Sequence, residues 1–166
     1  INVAQAFTLD SNWIAMGDTD GTGVGVELTG GLPGVQGNQV KITGNEIRTN
    51  GGTWGIHIGT GRSQTLIDGN AVGGFSYGIW AENSVQHNVV SNNRQLGSIR
   101  LGTGSNNNSF IGNYLSGTII ITGCTGIEFK GNTGDYFSGG KLLVPINAGA
   151  LQGTLALPTY PTGAGL

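Results

Sequence analysis

Apolar positions along the chain alternate two residues apart, in short runs, and two such runs recur. The first reads apolar–x–small–Asn and occurs six times: Leu9-Asp10-Ser11-Asn12, Ile42-Thr43-Gly44-Asn45, Ile67-Asp68-Gly69-Asn70, Val90-Ser91-Asn92-Asn93, Phe110-Ile111-Gly112-Asn113 and Phe129-Lys130-Gly131-Asn132. Successive Asn positions are 33, 25, 23, 20 and 19 residues apart. The second reads small–apolar–x–apolar and falls between them: Gly25-Val26-Glu27-Leu28, Gly55-Ile56-His57-Ile58, Gly78-Ile79-Trp80-Ala81, Ser98-Ile99-Arg100-Leu101 and Thr118-Ile119-Ile120-Ile121. A period of two is the strand period, with alternate side chains on one face.

From the last apolar residue of the second run to the next Asn the count is 17, 12, 12, 12 and 11. From each Asn to the first apolar residue of the second run it is 14, 11, 9, 6 and 6. One side of the repeat is nearly constant while the other shortens toward the C-terminus, as in a solenoid whose insertions collect on one face. A β-sandwich also has short strands and turns, but gives no reason for one Asn per repeat. The pattern therefore predicts an all-β parallel β-helix of about five to six coils, each with two or three short strands. Three inward columns follow: Leu9, Ile42, Ile67, Val90, Phe110, Phe129; Val26, Ile56, Ile79, Ile99, Ile119; and Leu28, Ile58, Ala81, Leu101, Ile121.

Composition agrees with short strands and turns. Among 166 residues there are 33 Gly and only 10% charged side chains, and each Gly costs a helix about 1 kcal/mol relative to Ala. A net charge of -2 with no basic run argues against nucleic acid. No apolar run approaches the roughly 18 residues of a membrane helix. The chain begins at Ile1 with no charged-then-apolar leader, and is read as a fragment or processed product. A single Cys124 excludes an internal disulfide and a multi-cysteine metal site.

The repeated turn Asn, followed by Gly-Ile-x-x, resembles the right-handed parallel β-helix proteins. These are the pectate-lyase-like superfamily, which includes bacteriophage tailspikes and secreted polysaccharide lyases. The resemblance spans roughly residues 7–140. It implies a right-handed coil, a ladder of stacked amides at Asn12, Asn45, Asn70, Asn93, Asn113 and Asn132, and a parallel homotrimer. Asn tolerates the left-handed backbone of a tight turn, and its amide can satisfy buried turn groups. Residues 1–140 are thus read as coils. Residues 141–157 (KLLVPINAGALQGTLAL) are read as an irregular cap over the last coil, since an open solenoid end exposes core and strand edges. Residues 158–166 are read as a Pro/Gly-rich extended linker or tail. LPTYPTGAGL looks like the connector near the C-termini of phage tail proteins, which favours a virion tail, outside the cell, over a free bacterial enzyme.

Candidate chemistry lies on the outward column of the second run: Glu27, His57, Trp80, Arg100 and Ile120. Stacked at ~4.8 Å steps, an acid, an imidazole, an indole and a guanidinium would share one wall. The variable loops beside it carry Trp13, Asp18 and Asp20 in 13–25, Glu46, Arg48 and Trp54 in 46–55, and Phe75 and Tyr77 in 71–78; Arg62 and Glu82 follow the strands on the other flank. Such a wall suits a bacterial surface polysaccharide, with sugar C–H faces on Trp54, Trp80 and Tyr77 and polar groups on Arg48, Arg62, Glu82 and Arg100. Three functions stay open: a glycan-binding tail module, a depolymerase and a structural stalk. Glycoside hydrolysis needs two carboxyls, ~5–5.5 or ~6.5–9.5 Å apart, and Glu27 with Asp18 or Asp20, or less plausibly Glu82, would supply them. A lyase would use His57 as base, with Arg62 or Arg100 neutralising a uronate. Asp18-Thr19-Asp20-Gly21 starts like a calcium loop, but the expected acid at its twelfth position is missing. It is read as a turn, and neither metal nor cofactor is expected.

Overall fold

The computed structural model of the chain describes residues 7–17, 20–29, 39–117 and 119–134. Asp18, the expected cap at 141–157 and the expected tail at 158–166 lie outside the described residues. The chain winds as a parallel β-helix of about five coils with three walls. The first wall contains Phe7–Asp10, Val40–Thr43, Thr65–Asp68, Val89–Ser91, Ser109–Ile111 and Glu128–Lys130, and every pairing is parallel. The second contains Trp13–Met16, Glu46–Thr49 and Ala71–Gly73. Bridges from Ala71 to Arg94 and from Leu96 to Leu115, with the pair Tyr114–Leu115 and Thr133–Gly134, extend it. The third contains Val24–Leu28, Trp54–Ile58, Tyr77–Ala81, Ser98–Leu101 and Ile119–Ile121.

All three predicted inward columns are in register. Leu9 pairs with Ile42, Ile42 with Ile67, Ile67 with Val90, Val90 with Phe110 and Phe110 with Phe129. Val26 to Ile119 and Leu28 to Ile121 do the same on the third wall. These side chains are buried, apart from the half-buried Phe129, which stacks on Phe110. Burial of each large apolar side chain contributes about 1.5–3 kcal/mol.

The second wall was hidden inside what the sequence presents as variable loops. Its strands are four, four and three residues long; Ile14, Ile47 and Val72 form an inward column, and beside it Met16 also packs on the core and is followed in register by the buried polar Thr49. Only Trp13–Met16 alternates two apolar residues inward, so no apolar alternation recurs from coil to coil. Phe75, expected on a loop, is buried in the core at the corner after this wall. As coils shorten C-terminally, this wall contracts to bridges and a two-residue pair while the other two persist.

Both small positions of the signatures have a cause. The residue before each ladder Asn has positive φ in all six coils: Ser11 at 56°, Gly44 at 62°, Gly69 at 66°, Asn92 at 53°, Gly112 at 63° and Gly131 at 61°. The left-handed turn residue is therefore this one, and the ladder Asn itself is not left-handed. At the third-wall corner the cause is space. A Cβ on Gly55 would overlap Val72 Cγ1 and sit 2.7 Å from the Gly78 carbonyl oxygen.

Candidate functional site

The Asn ladder runs unbroken from Asn12 to Asn132. The backbone N–H of each Asn donates to Oδ1 of the Asn one coil on, at 2.9–3.0 Å, and its Nδ2 donates to the same oxygen. From Asn45 on, Nδ2 also donates to a first-wall carbonyl of the preceding coil: Leu9, Ile42, Ile67, Val90 and then Phe110. Asn45, Asn70, Asn93 and Asn113 are buried with their bonding filled, which is the condition for burying amides. They hold the coil and have no capacity left for a ligand.

A second, shorter ladder stands where the chain enters the first wall. Thr65 N–H donates to Asn88 Oδ1 at 2.7 Å, and Asn88 N–H and Nδ2 donate to Asn108 Oδ1 at 3.0 and 2.9 Å. The residues before them, Gln64, His87 and Asn107, all have positive φ. His87 is thus an exposed corner residue.

The predicted outward column exists. Glu27 pairs with His57, His57 with Trp80, Trp80 with Arg100 and Arg100 with Ile120. Trp54 pairs with Tyr77 at the start of the same wall. The rings form one cluster: Trp54 and Trp80 meet edge-on at 4.2 Å, Trp54 and His57 at 4.7 Å, His57 and Trp80 at 5.3 Å, and Tyr77 and Trp80 at 6.2 Å. The Arg100 guanidinium lies 5.2 Å from the Trp80 ring centroid, a cation–π contact.

His57 is the hub of the polar groups. It is only 6% exposed. Its Nε2 is 3.1 Å from Glu82 Oε1, and its Nδ1 is 3.5 Å from Glu27 Oε1, within ion-pair range but without a formed hydrogen bond. Trp54 Nε1 is likewise buried, without a hydrogen-bond partner among the described residues. Glu82 is held on both oxygens, because the Thr60 hydroxyl and N–H donate to Oε2 at 2.6 and 3.0 Å. The Thr60 hydroxyl bond comes first among the causes that hold the Glu82 carboxyl below the usual glutamate range. Partial desolvation opposes it, while the Thr60 N–H and the charge and hydrogen bond of His57 add to it.

Other predicted site residues lie apart from this cluster. Arg62 is 2% exposed, and its Nε and Nη2 donate to the Thr29 carbonyl oxygen at 3.0 and 2.8 Å. Burial pushes its guanidinium pKa down from the ordinary value. Arg48 is on the second wall, where its Nε bonds Glu46 Oε1 at 3.1 Å. Trp13 is on that wall too, 75% exposed. Asp20 accepts from the N–H and hydroxyl of Thr22 at 3.0 and 2.7 Å, the geometry of a turn. Among the described residues no group of His, Cys, Asp or Glu is placed to hold a metal ion. Nothing in the sequence marks Thr60 as the partner of Glu82, since the two are 22 residues apart and meet only through the winding. No family model, curated protein or solved structure matches the chain.

Proposed function

We propose that this chain is a structural and receptor-binding module of a bacteriophage tail, of the tailspike kind, which docks host surface polysaccharide on its third wall. The observation that carries this reading is the cluster of Trp54, Tyr77 and Trp80, half-exposed on a rigid sheet and bordered by Glu27, Glu82 and Arg100. Amphipathic rings beside hydrogen-bonding groups suit a ligand with apolar C–H faces and polar hydroxyl edges. The resemblance of the repeated Asn turn and of the C-terminal LPTYPTGAGL segment to phage tail proteins supports a place in the virion, as a homotrimer outside the cell.

Holding a glycan fits this geometry better than cutting one. The His57 ring stands between the carboxylates of Glu27 and Glu82, where a hydrolase pair would need room for sugar and water. His57 is also covered by its neighbours, so it is poorly placed to take a proton from a sugar at the surface. Screening the folded chain against bacterial surface oligosaccharides tests the proposal. A Trp54→Ala/Trp80→Ala variant with an unchanged circular dichroism spectrum should bind at least about tenfold more weakly, as stacking residues dominate such contacts. Equal binding by the variant, or none by the parent, overturns the reading.

A further inference from the structure

We infer that the third wall selects uncharged sugars and discriminates against uronates, with Glu27 as the group that accepts the ligand's hydroxyls. This rests on the glycan-binding reading above.

The charge distribution around the aromatic cluster is the basis. Two carboxylates flank its N-terminal half, Glu27 on the strand Val24–Leu28 and Glu82 just past Tyr77–Ala81. They differ in what they have left to offer. Both Glu82 oxygens are occupied by His57 and Thr60, bonds that favour its ionised form, so Glu82 supplies a fixed negative charge and little else. Glu27 is half-exposed, with a side chain 51% accessible, and among the described residues its one ionic contact is the 3.5 Å approach to His57 Nδ1. Its carboxylate keeps free lone pairs beside the rings, and a carboxylate is an acceptor only. That matches a sugar hydroxyl and repels another carboxylate.

The arginines that would reverse this preference are set away from Glu27. Arg62 is turned inward onto the Thr29 carbonyl, and Arg48 is paired with Glu46 on another wall. Arg100 faces outward on the third wall, yet it is three rungs from Glu27, or ~14 Å at ~4.8 Å per rung. That exceeds the ~8–10 Å screening length at physiological ionic strength. The two carboxylates share the one His57 ring between them, so the Trp54 end of the cluster carries an excess of negative charge toward a uronate, while Arg100 stands at the Trp80 end.

Matched ligands make the test direct. Uronate-bearing oligosaccharides of bacterial surfaces are paired with their carboxyl-reduced counterparts, in which each carboxylate becomes a hydroxymethyl group. Both series are titrated onto the full chain by calorimetry. The reduced form should bind about tenfold more tightly or better, because unit charges ~4 Å apart interact by several times thermal energy near a protein surface. The ratio should shrink at least about threefold in Glu27→Gln, and also as salt is raised toward ~1 M, where screening shortens to ~3 Å. Equal or tighter binding of the uronate form overturns the proposed selectivity while leaving glycan binding intact. A ratio unmoved by Glu27→Gln overturns the role of Glu27. Absence of binding by either series overturns the glycan reading itself, and the selectivity with it.

Discussion

A ladder asparagine in mid-helix meets three demands with one amide. Its Oδ1 accepts two bonds from the coil before, its Nδ2 closes its own turn, and the same Nδ2 reaches a first-wall carbonyl of the preceding coil. Aspartate lacks the donors, and serine and threonine are too short to span the rung. Position in the ladder sets the cost of removal. Asn70→Ala would orphan the Asn45 N–H and weaken the bonding of Asn45 Nδ2, both buried. At about 1–3 kcal/mol per unsatisfied buried group, it should destabilise by about 2–4 kcal/mol in urea unfolding. Asn12→Ala, at an exposed position with no ladder Asn donating to it among the described residues, should cost under about 1 kcal/mol. Equal effects at the two sites would show that the ladder does not carry the load assigned to it. The Asn column was legible because identical residues recur at each turn. The residue before it was legible as a small position but not as the left-handed one, because Ser11, Gly44 and Asn92 share a backbone angle and no single side chain.

At the scale of strands and turns, legibility followed repetition and alternation. The first and third walls each direct recurring apolar positions inward, so their register could be counted from the sequence. The second wall could not, because its second inward position changes from Met16 to the polar Thr49, nor could the Asn88–Asn108 ladder, which extends over only two coils. The site divided the same way. The outward column followed from strand register, whereas the inward turn of Arg62 and the Thr60 clamp on Glu82 depend on how particular corners close. That clamp makes a pH-dependent prediction. Because the Glu82 carboxyl is depressed in the folded chain, its contribution is complete above the unfolded glutamate value of about 4.3. It is lost as pH falls through the lower folded value. Glu82→Gln should therefore be less stable than the parent near pH 6, and the gap in urea midpoint should close as pH approaches 3. A gap independent of pH would place the effect in packing.

The whole molecule is a stack in which each coil contacts its neighbours, so stability approximates a sum of coils and interfaces. Coils here are not interchangeable along the full length, because the second wall narrows from four-residue strands to bridges and two-residue strands. The last two full coils are interchangeable: from Asn93 and from Asn113 the next third-wall apolar residue is six positions on in each case. Deleting residues 94–113, one period of 20 residues, would join Asn93 to Tyr114 and let the strand Ile119–Ile121 take the place of Ser98–Leu101. Two misfits are evident: Asn88 would lose Asn108 Oδ1 and face Ile127, and the buried Val85 N–H would lose Ser105 Oγ. The shortened chain should keep a β-type circular dichroism spectrum and unfold cooperatively, less stable by about 1–3 kcal/mol from the net contribution of twenty residues, plus about 1 kcal/mol or more for Asn88. It would also lose Arg100 while retaining Glu27, His57 and Trp80 in one column, so any glycan affinity due to the guanidinium would be separated from that of the rings and carboxylates. Deleting residues 46–70 instead, a longer period of 25 residues, would join a wide coil to a narrower one and remove both His57 and Arg62. That chain should fail to fold cooperatively. If both deletions behaved alike, the taper of the coil would have no energetic weight.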